Sequence, residues 1–563
     1  MSGLELVLVL LTASVGLRVL ADRWELPYST LLVLAGVALA ATPRLPRVAL
    51  DPDVLFLLFV PPLLYSAAVA FPLRDLRRSS GPIVRLAVLM VLVSAGAVAI
   101  VIHAIDPAFT WAAAFTLGAV ISAPDPIAVF SVMRNLRLPR EIERILEGEG
   151  LLNDATALVL YRVAVAAAVT GSFARGRTAV QFLVVGAGGA MVGIVVGALI
   201  LQVRKFTQQS DVADSTVSLL TPFAAYLAAE ALQTSGVISV VAAAMVVARG
   251  IPKILSAGNR VQNTNMWRIA TYLLESLVFI IVGIELPYII RDLEPGGITA
   301  LLGEALIVFL AIVVARIVWI FPSAYIGRAI EGWINRRSYA PSWRSVFFIG
   351  WAGVRGGDSL VIALAIPLTT AAGAPFPARE RIIFITFVVI LATLVLEAPT
   401  LRPLSRALGL RADGSTEDEE AHARLASAEA GLVALDAIER GQLRFPEVGR
   451  YLRQRHRQRA RRWAAQETRQ RVDHSSEIEH DHFVSSPPSH EGGVLDEQRA
   501  EEYRRVRSAM IDAEHRALLT LRDRDDIGDD VMRTVEHELD LEKLLLDSGQ
   551  PVIEPPREVS LNS

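Results

Sequence analysis

Apolar runs long enough to cross a bilayer recur from Leu4 to about Leu401, and they limit the fold more than any other feature of the chain. A helical span needs about 20 residues, fewer where neighbouring spans compensate. Thirteen runs qualify: 3–20, 27–41, 53–71, 83–103, 111–133, 149–171, 180–201, 218–232, 235–249, 271–290, 300–322, 346–366 and 382–400. With 53% of 563 residues hydrophobic, an all-α polytopic membrane protein follows. The chain has no cysteine, which excludes disulfides, thiolate metal sites and thiol nucleophiles. The first run carries Glu5 and no basic residue before it, so it reads as a retained span, not a secretory signal.

Basic residues set the orientation. Connections after odd-numbered runs carry Arg18 and Arg23, then Arg74, Arg77, Arg78 and Arg85, then Arg134, Arg137, Arg140 and Arg144, and so on to Arg344. Connections after even-numbered runs carry only Arg44, Arg47, Arg175, Arg177, Arg291, Arg379 and Arg381. The expected N-terminus is therefore outside and the tail cytoplasmic. Thirteen spans also allow runs 1–6 and 8–13 to be repeats of opposite orientation, joined by run 7.

Two runs are interrupted at corresponding places, which is where such folds put their binding sites. Run 5 contains Ser122-Ala123-Pro124-Asp125-Pro126, and run 12 contains Gly353-Val354-Arg355-Gly356-Gly357-Asp358. A break in hydrocarbon frees backbone groups that need partners. Asp125 and Arg355 are placed to offset the partial charges of the helix ends.

Between these breaks, run 6 opens with Glu149-Gly150-Leu151-Leu152-Asn153-Asp154. An ionisable residue inside a span is costly and is a functional-site candidate by default. Asp154 is the leading cation ligand, with Asn153 as a charge modulator or a partner for freed backbone. Asp125 reads equally as ligand or as helix cap.

The tail from about 409 is a separate helical region. Glu417–Arg440 and Glu497–Asp547 read as helices, Arg450–Arg462 as a basic surface helix, and His474–Gly493 as a polar linker. The expected domains are a transmembrane domain, 1–408, and a cytoplasmic helical domain, 409–563. The basic Arg450–Arg462 could bind anionic lipid or nucleic acid, but a solvated or membrane-surface helix is the commoner case, and His474, His480 and His482, without other ligands, read as polar linker and not as a metal site.

Together, Ala123-Pro124-Asp125-Pro126, Glu149 to Asp154 and Trp351-Ala352-Gly353-Val354-Arg355-Gly356-Gly357 resemble the monovalent cation/proton antiporters of the bacterial sodium/proton exchanger type. The resemblance covers all thirteen runs. It implies two crossing discontinuous helices, a homodimer and alternating access. It also implies that Asp154 binds cation and proton in competition, that the Asn153–Asp154 pair marks electroneutral exchange, and that Glu149 and Arg355 form a buried ion pair. Three positions depart from the family pattern. Gly150 stands where a Ser or Thr is usual, Pro124 where a Thr is common, and Ser66 near where an acidic residue occurs. Asp358 is an added carboxylate that either pairs with Arg355 or rebuilds the site.

The sequence therefore predicts a secondary antiporter in the plasma membrane, serving pH homeostasis, with no enzymatic activity and no cofactor. It would exchange Na⁺, or alternatively K⁺ or Li⁺, for H⁺. A cation channel and a transport-like membrane sensor are the readings from other classes.

Overall fold

A computed structural model describes residues 3–24, 28–40, 52–71, 80–125, 129, 138–171, 177–292, 298–334, 342–410, 415–441, 443–472, 493–524 and 526–548. Among them the fold is all helical, apart from one isolated bridge between Thr369 and Pro375. It divides into two units, residues 1–254 with 264–412, and residues 255–263 with 413–563.

In the first unit, α1 (Gly3–Trp24), α2 (Tyr28–Ala40) and α3 (Pro52–Ala70) lead into α4, which runs Ser80–Val84, then through a π-helical turn at Arg85–Met90, to Val91–Ile105. There follow α5 (Trp111–Ser122), α6 (Arg140–Thr170), α7 (Arg177–Thr207), α8 (Asp211–Ala231), α9 (Gly236–Ile254), α10 (Ala257–Asp292, of which the part up to residue 263 belongs to the second unit) and α11 (Ile298–Ile334). Two short helices, α12 (Trp343–Trp351) and α13 (Gly357–Leu364), precede α14, made of Arg379–Ala392, a π-helical turn Thr393–Glu397, and Ala398–Ala407.

Eight helices among the described residues are long and apolar enough to cross a membrane. Shorter apolar helices lie at Leu10–Ala21, Leu31–Ala40, Phe56–Ala70 and Trp111–Ser122. Several helices outrun the apolar runs that announced them. The run expected at 271–290 is the later part of α10, whose helix starts at Ala257. Hydropathy marks where a helix meets lipid, and nothing between Ala257 and Ala270 breaks a helix, so the polar turns continue it.

Small residues bring these helices together. Gly189, Gly193 and Gly197, spaced four apart on one face of α7, lie against Ser235, Ser239 and Ala243 of the α9 region. A Cβ on Gly193 would run into the Ser239 carbonyl. Gly36 of α2 and Gly283 of α10 meet in the same way. With lipid on the outside, this close backbone contact supplies the dispersion that a water-driven hydrophobic effect cannot.

The second unit is a bundle of α15 (Ser415–Glu439), α16 (Pro446–Val472), α17 (Gly493–Asp523) and α18 (Asp529–Asp547). The stretch expected as one helix from Glu497 to Asp547 is two, since Gly528 caps the start of α18. The basic segment of α16 is not a free surface helix. Leu452 and His456 are buried, α16 packs on α15 and α17, and Arg453 pairs with Asp436 and Glu439. His474, His480 and His482 lie outside the described residues.

A buried ionic cluster holds the bundle. Arg507 pairs with Glu514 and, at 2.7 Å, with Glu542, while His456 Nε2 lies 3.1 Å from Glu514. Burial raises the pKa of Glu514, but Arg507, with His456 and Arg459, outweighs it and holds it at about 2, against an ordinary 4.5. A depressed folded-state pKa contributes stability that is present above 4.5 and is lost as pH falls through about 2.

Two outcomes are expected. Gly193→Val should lower stability in detergent by ~1–3 kcal/mol, whereas Gly303→Ala, which faces open space, should not. The protection of α17 amides in the full chain, taken relative to intrinsic exchange at each pH, should fall as pH falls from 4.5 towards 2, and Glu514→Gln should remove that component.

Candidate functional site

The end of α5 and the break between α12 and α13 meet. Pro124 disfavours helix at the residue before it, and α5 stops at Ser122 with Ala123 extended (φ −80°, ψ 121°). In the second, α12 stops at Trp351, and Gly356, extended at φ −108° and ψ −175°, starts α13. The Asp125 N–H donates to the Val354 carbonyl at 2.8 Å, joining one interrupted segment to the other. Residues 126–128 and 130–137 lie outside the described residues, so α5 is described only up to its end.

Each helix that stops here has its last carbonyls bound by a buried guanidinium. Arg316, from the middle of α11, donates Nε to Gly350 O (3.1 Å) and Nη2 to Ile349 O (3.1 Å), both at the end of α12. Arg355 donates Nε to Ile121 O (2.8 Å) at the end of α5, and its N–H to Thr393 Oγ1 (3.0 Å). Carbonyls left at a helix C-terminus carry partial negative charge, and a cation there satisfies them and offsets the dipole. Gly353 lies between the two arginines; a Cβ there would be 2.9 Å from Arg316 Cδ and 3.0 Å from Arg355 Nη1.

The expected Glu149–Arg355 pair is not formed. Glu149, 1% exposed, is bound by both Nη atoms of Arg316. The physical reason is geometric, since the Arg355 side chain is turned to the end of α5, while Arg316 reaches from α11 to α6 and α12 together. Glu397, 2% exposed, lies close enough to act electrostatically on Arg355 and Arg316. In the sequence Arg316 and Glu397 read as packing or helix-end residues, although each carries a signal that points further. A charged group inside the run 300–322 or 382–400 is as costly as Asp154 is.

Asp125, Asp154 and Asp358 gather beside these caps, near enough for their charges to act on one another. Asp358 occupies the first turn of α13, a favourable place for an anion. Gly356 makes room for Asp125, whose carboxyl lies where a Cβ would project. Asp154 and Asp358 form no hydrogen bond or ion pair among the described residues. Asp358 therefore joins the carboxylates instead of pairing with Arg355.

Asn153 supplies a second kind of polar atom. It is fully buried, and its Nδ2 donates to the freed Pro124 carbonyl at 2.7 Å. Its Oδ1 has no hydrogen-bond partner among the described residues. A buried acceptor without a donor costs about 1–3 kcal/mol, a cost that a bound cation removes. Gly150, one turn before Asp154, is buried and brings no ligand atom. The Ser66 hydroxyl donates to Leu63 O (2.8 Å) inside α3, a helix loosened by Pro61 and Pro62. The arrangement provides oxygen ligands and negative charge for a small hard cation, or equally a place for a proton.

Residues 7–407 match the family described as "Sodium/hydrogen exchanger, transmembrane". An uncharacterized Na⁺/H⁺ exchanger of Mycobacterium tuberculosis is 32% identical over 549 residues, spanning 97% of this chain and 96% of the relative. A "Sodium, potassium, lithium and rubidium/H(+) antiporter" of Bacillus subtilis is 33% identical over 409 residues, 70% of this chain and 60% of that protein. The sodium proton antiporter MjNhaP1 of Methanocaldococcus jannaschii shares the fold, with a TM-score of 0.55 at 19% identity, over 72% of this chain and 98% of the other.

The reassigned ion pair predicts unequal effects. Arg316→Met strands Glu149 and two carbonyls and should cost ~3–5 kcal/mol in thermal unfolding in detergent, with partial recovery in Glu149→Gln/Arg316→Met. A wild-type melting curve for Arg316→Met would return the pair to Arg355.

Proposed function

We propose that this chain, which belongs to the sodium/hydrogen exchanger family, is a secondary antiporter that moves a monovalent cation against H⁺. The observation that carries the reading is the pair of carboxylates, Asp154 and Asp358, that have no hydrogen bond or ion pair among the described residues, set with the likewise unpartnered Asn153 Oδ1 beside the end of α5 and the break between α12 and α13.

The mechanism follows from electrostatics. In a low-dielectric surrounding, an unpaired carboxylate is strongly disfavoured and takes up a proton or a cation. Asp154 holds one or the other, with Asn153 Oδ1, Asp125 and Asp358 completing the cation's oxygen shell. The loaded site crosses, and the empty charged site does not, so the two fluxes are coupled without nucleotide. The Arg316–Glu149 clamp and the Arg355 cap keep the interrupted backbone satisfied while the site changes its exposure. Alternating access then moves the helices bearing the site against the remainder, within thirteen spans arranged as two inverted repeats. Residues 1–408 form this transport domain and 409–563 a cytoplasmic helical domain.

Na⁺ is the favoured cation. The name of the Bacillus subtilis relative supports widening the range to K⁺, Li⁺ and Rb⁺. The neutral Asn153 beside Asp154 supports electroneutral exchange of one cation for one proton. A plasma-membrane homodimer, with the N-terminus outside and a role in pH homeostasis, completes the reading.

In everted vesicles, added Na⁺ should dequench a pH-sensitive dye, and Asp154→Asn should reduce the signal to that of vesicles lacking the protein. Clamping the potential with valinomycin and K⁺ should leave the balance point unchanged. Full exchange by Asp154→Asn would refute the mechanism.

A further inference from the structure

We propose that Glu275 is a further cation ligand, a carboxylate on α10 that receives the cation on its way to Asp154 and Asp358; this rests on the exchange reading above. Asp125, Asp154 and Asp358 belong to α5, α6 and α13. Glu275 belongs to α10, which packs against the start of α13. Val278 and Phe279, three and four residues after Glu275 and on its face of the helix, meet Gly357; a Cβ on that glycine would lie 3.0 Å from Val278 and 3.2 Å from Phe279. Asp358 is the next residue. The seam there is apolar, with Val33, Phe279, Gly357 and Leu360 lining one crevice. Glu275 thus lies one turn along α10 from this apolar seam, at which Gly357 precedes Asp358.

A purely structural role would need a bonded partner for the Glu275 carboxyl. The nearest hydroxyls on α10 are engaged elsewhere. Tyr272 takes a bond from Tyr28 (3.0 Å) and donates to Ser14 O (3.2 Å), while Ser276 bonds Tyr28 (2.8 Å) and its own helix at Tyr272 O (2.6 Å). These bonds fix α10 to α1 and α2 on both sides of Glu275 and leave its carboxyl without a hydrogen bond or ion pair among the described residues. The charged groups that act on it are Asp125, Asp358 and Arg18, the last stacked over Tyr28 at 5.3 Å. A monovalent cation is the partner that fits a carboxylate within electrostatic reach of two others and one arginine. It relieves the repulsion among the carboxylates, and the arginine keeps the position from binding so tightly that the ion stays.

The basic connections place the start of α10 on the cytoplasmic side, so the effect should be sided. Cation-dependent proton flux is to be measured with Na⁺ and Li⁺ in everted and in right-side-out vesicles for wild type, Glu275→Gln, Glu275→Asp and Asp154→Asn. Glu275→Gln is expected to raise the KM for cation supplied at the cytoplasmic face ~10-fold with the maximal rate kept, and to leave the KM at the opposite face unchanged. Glu275→Asp, which keeps the charge and most of the shape, should stay within ~2-fold of wild type. An unchanged cytoplasmic KM in Glu275→Gln, or an equal loss of rate from both faces in both variants, overturns the proposal. If wild-type vesicles show no cation-driven proton flux, or Asp154→Asn retains it, the exchange reading fails and this ligand with it.

Discussion

Open backbone at two places inside a hydrocarbon-facing fold is the constraint on which the rest of the site depends. A helix satisfies its own polar groups; a chain that stops being helical at Ala123 and again at Ala352 leaves carbonyls and amides that lipid cannot bind. Arg316 and Arg355 answer this directly by capping Ile349, Gly350 and Ile121. Each guanidinium presents a planar set of donors that a lysine would not reproduce. The two segments also bind each other, through Asp125 N–H and Val354 O, and Asn153 binds the carbonyl released at Pro124.

Once the positive charges are assigned to capping, the carboxylates fall into two sets. Glu149 is neutralised by Arg316, and Glu397 lies within electrostatic reach of Arg355 and Arg316; these hold structure. Asp154 and Asp358 have no such partner among the described residues, which is why the proposed exchange is assigned to them. The division matters because a carboxylate already bound to an arginine is a poor carrier for a proton or a cation. Gly356 and Gly353 serve the same end, the first leaving room for Asp125 and the second for the side chains of Arg316 and Arg355.

Much of this was legible in the sequence because its causes are local. Pro124 and the glycines at 353, 356 and 357 announced the ends of α5 and α12, and the cost of charge in an apolar run singled out Asp154 and Asn153. Pairing was not legible, because it depends on which helices become neighbours. The family resemblance matches Glu149 to Arg355, whereas the structure brings Arg316 from α11, 167 residues away in the chain. Asp358 was ambiguous for the same reason. In the tail, the run of arginines in α16 looked like a solvated surface, since composition does not reveal that Leu452 and His456 turn inward while Arg453 finds Asp436 and Glu439.

The central claim is that one buried carboxylate site holds either a proton or a cation, never both. The most direct measurement is proton release on cation binding to the purified protein in weakly buffered detergent, read with a pH indicator as Na⁺ or Li⁺ is added. About one proton released for each cation bound, with both lost in Asp154→Asn, is the expected result. Saturable cation binding with no proton release at any pH would contradict it.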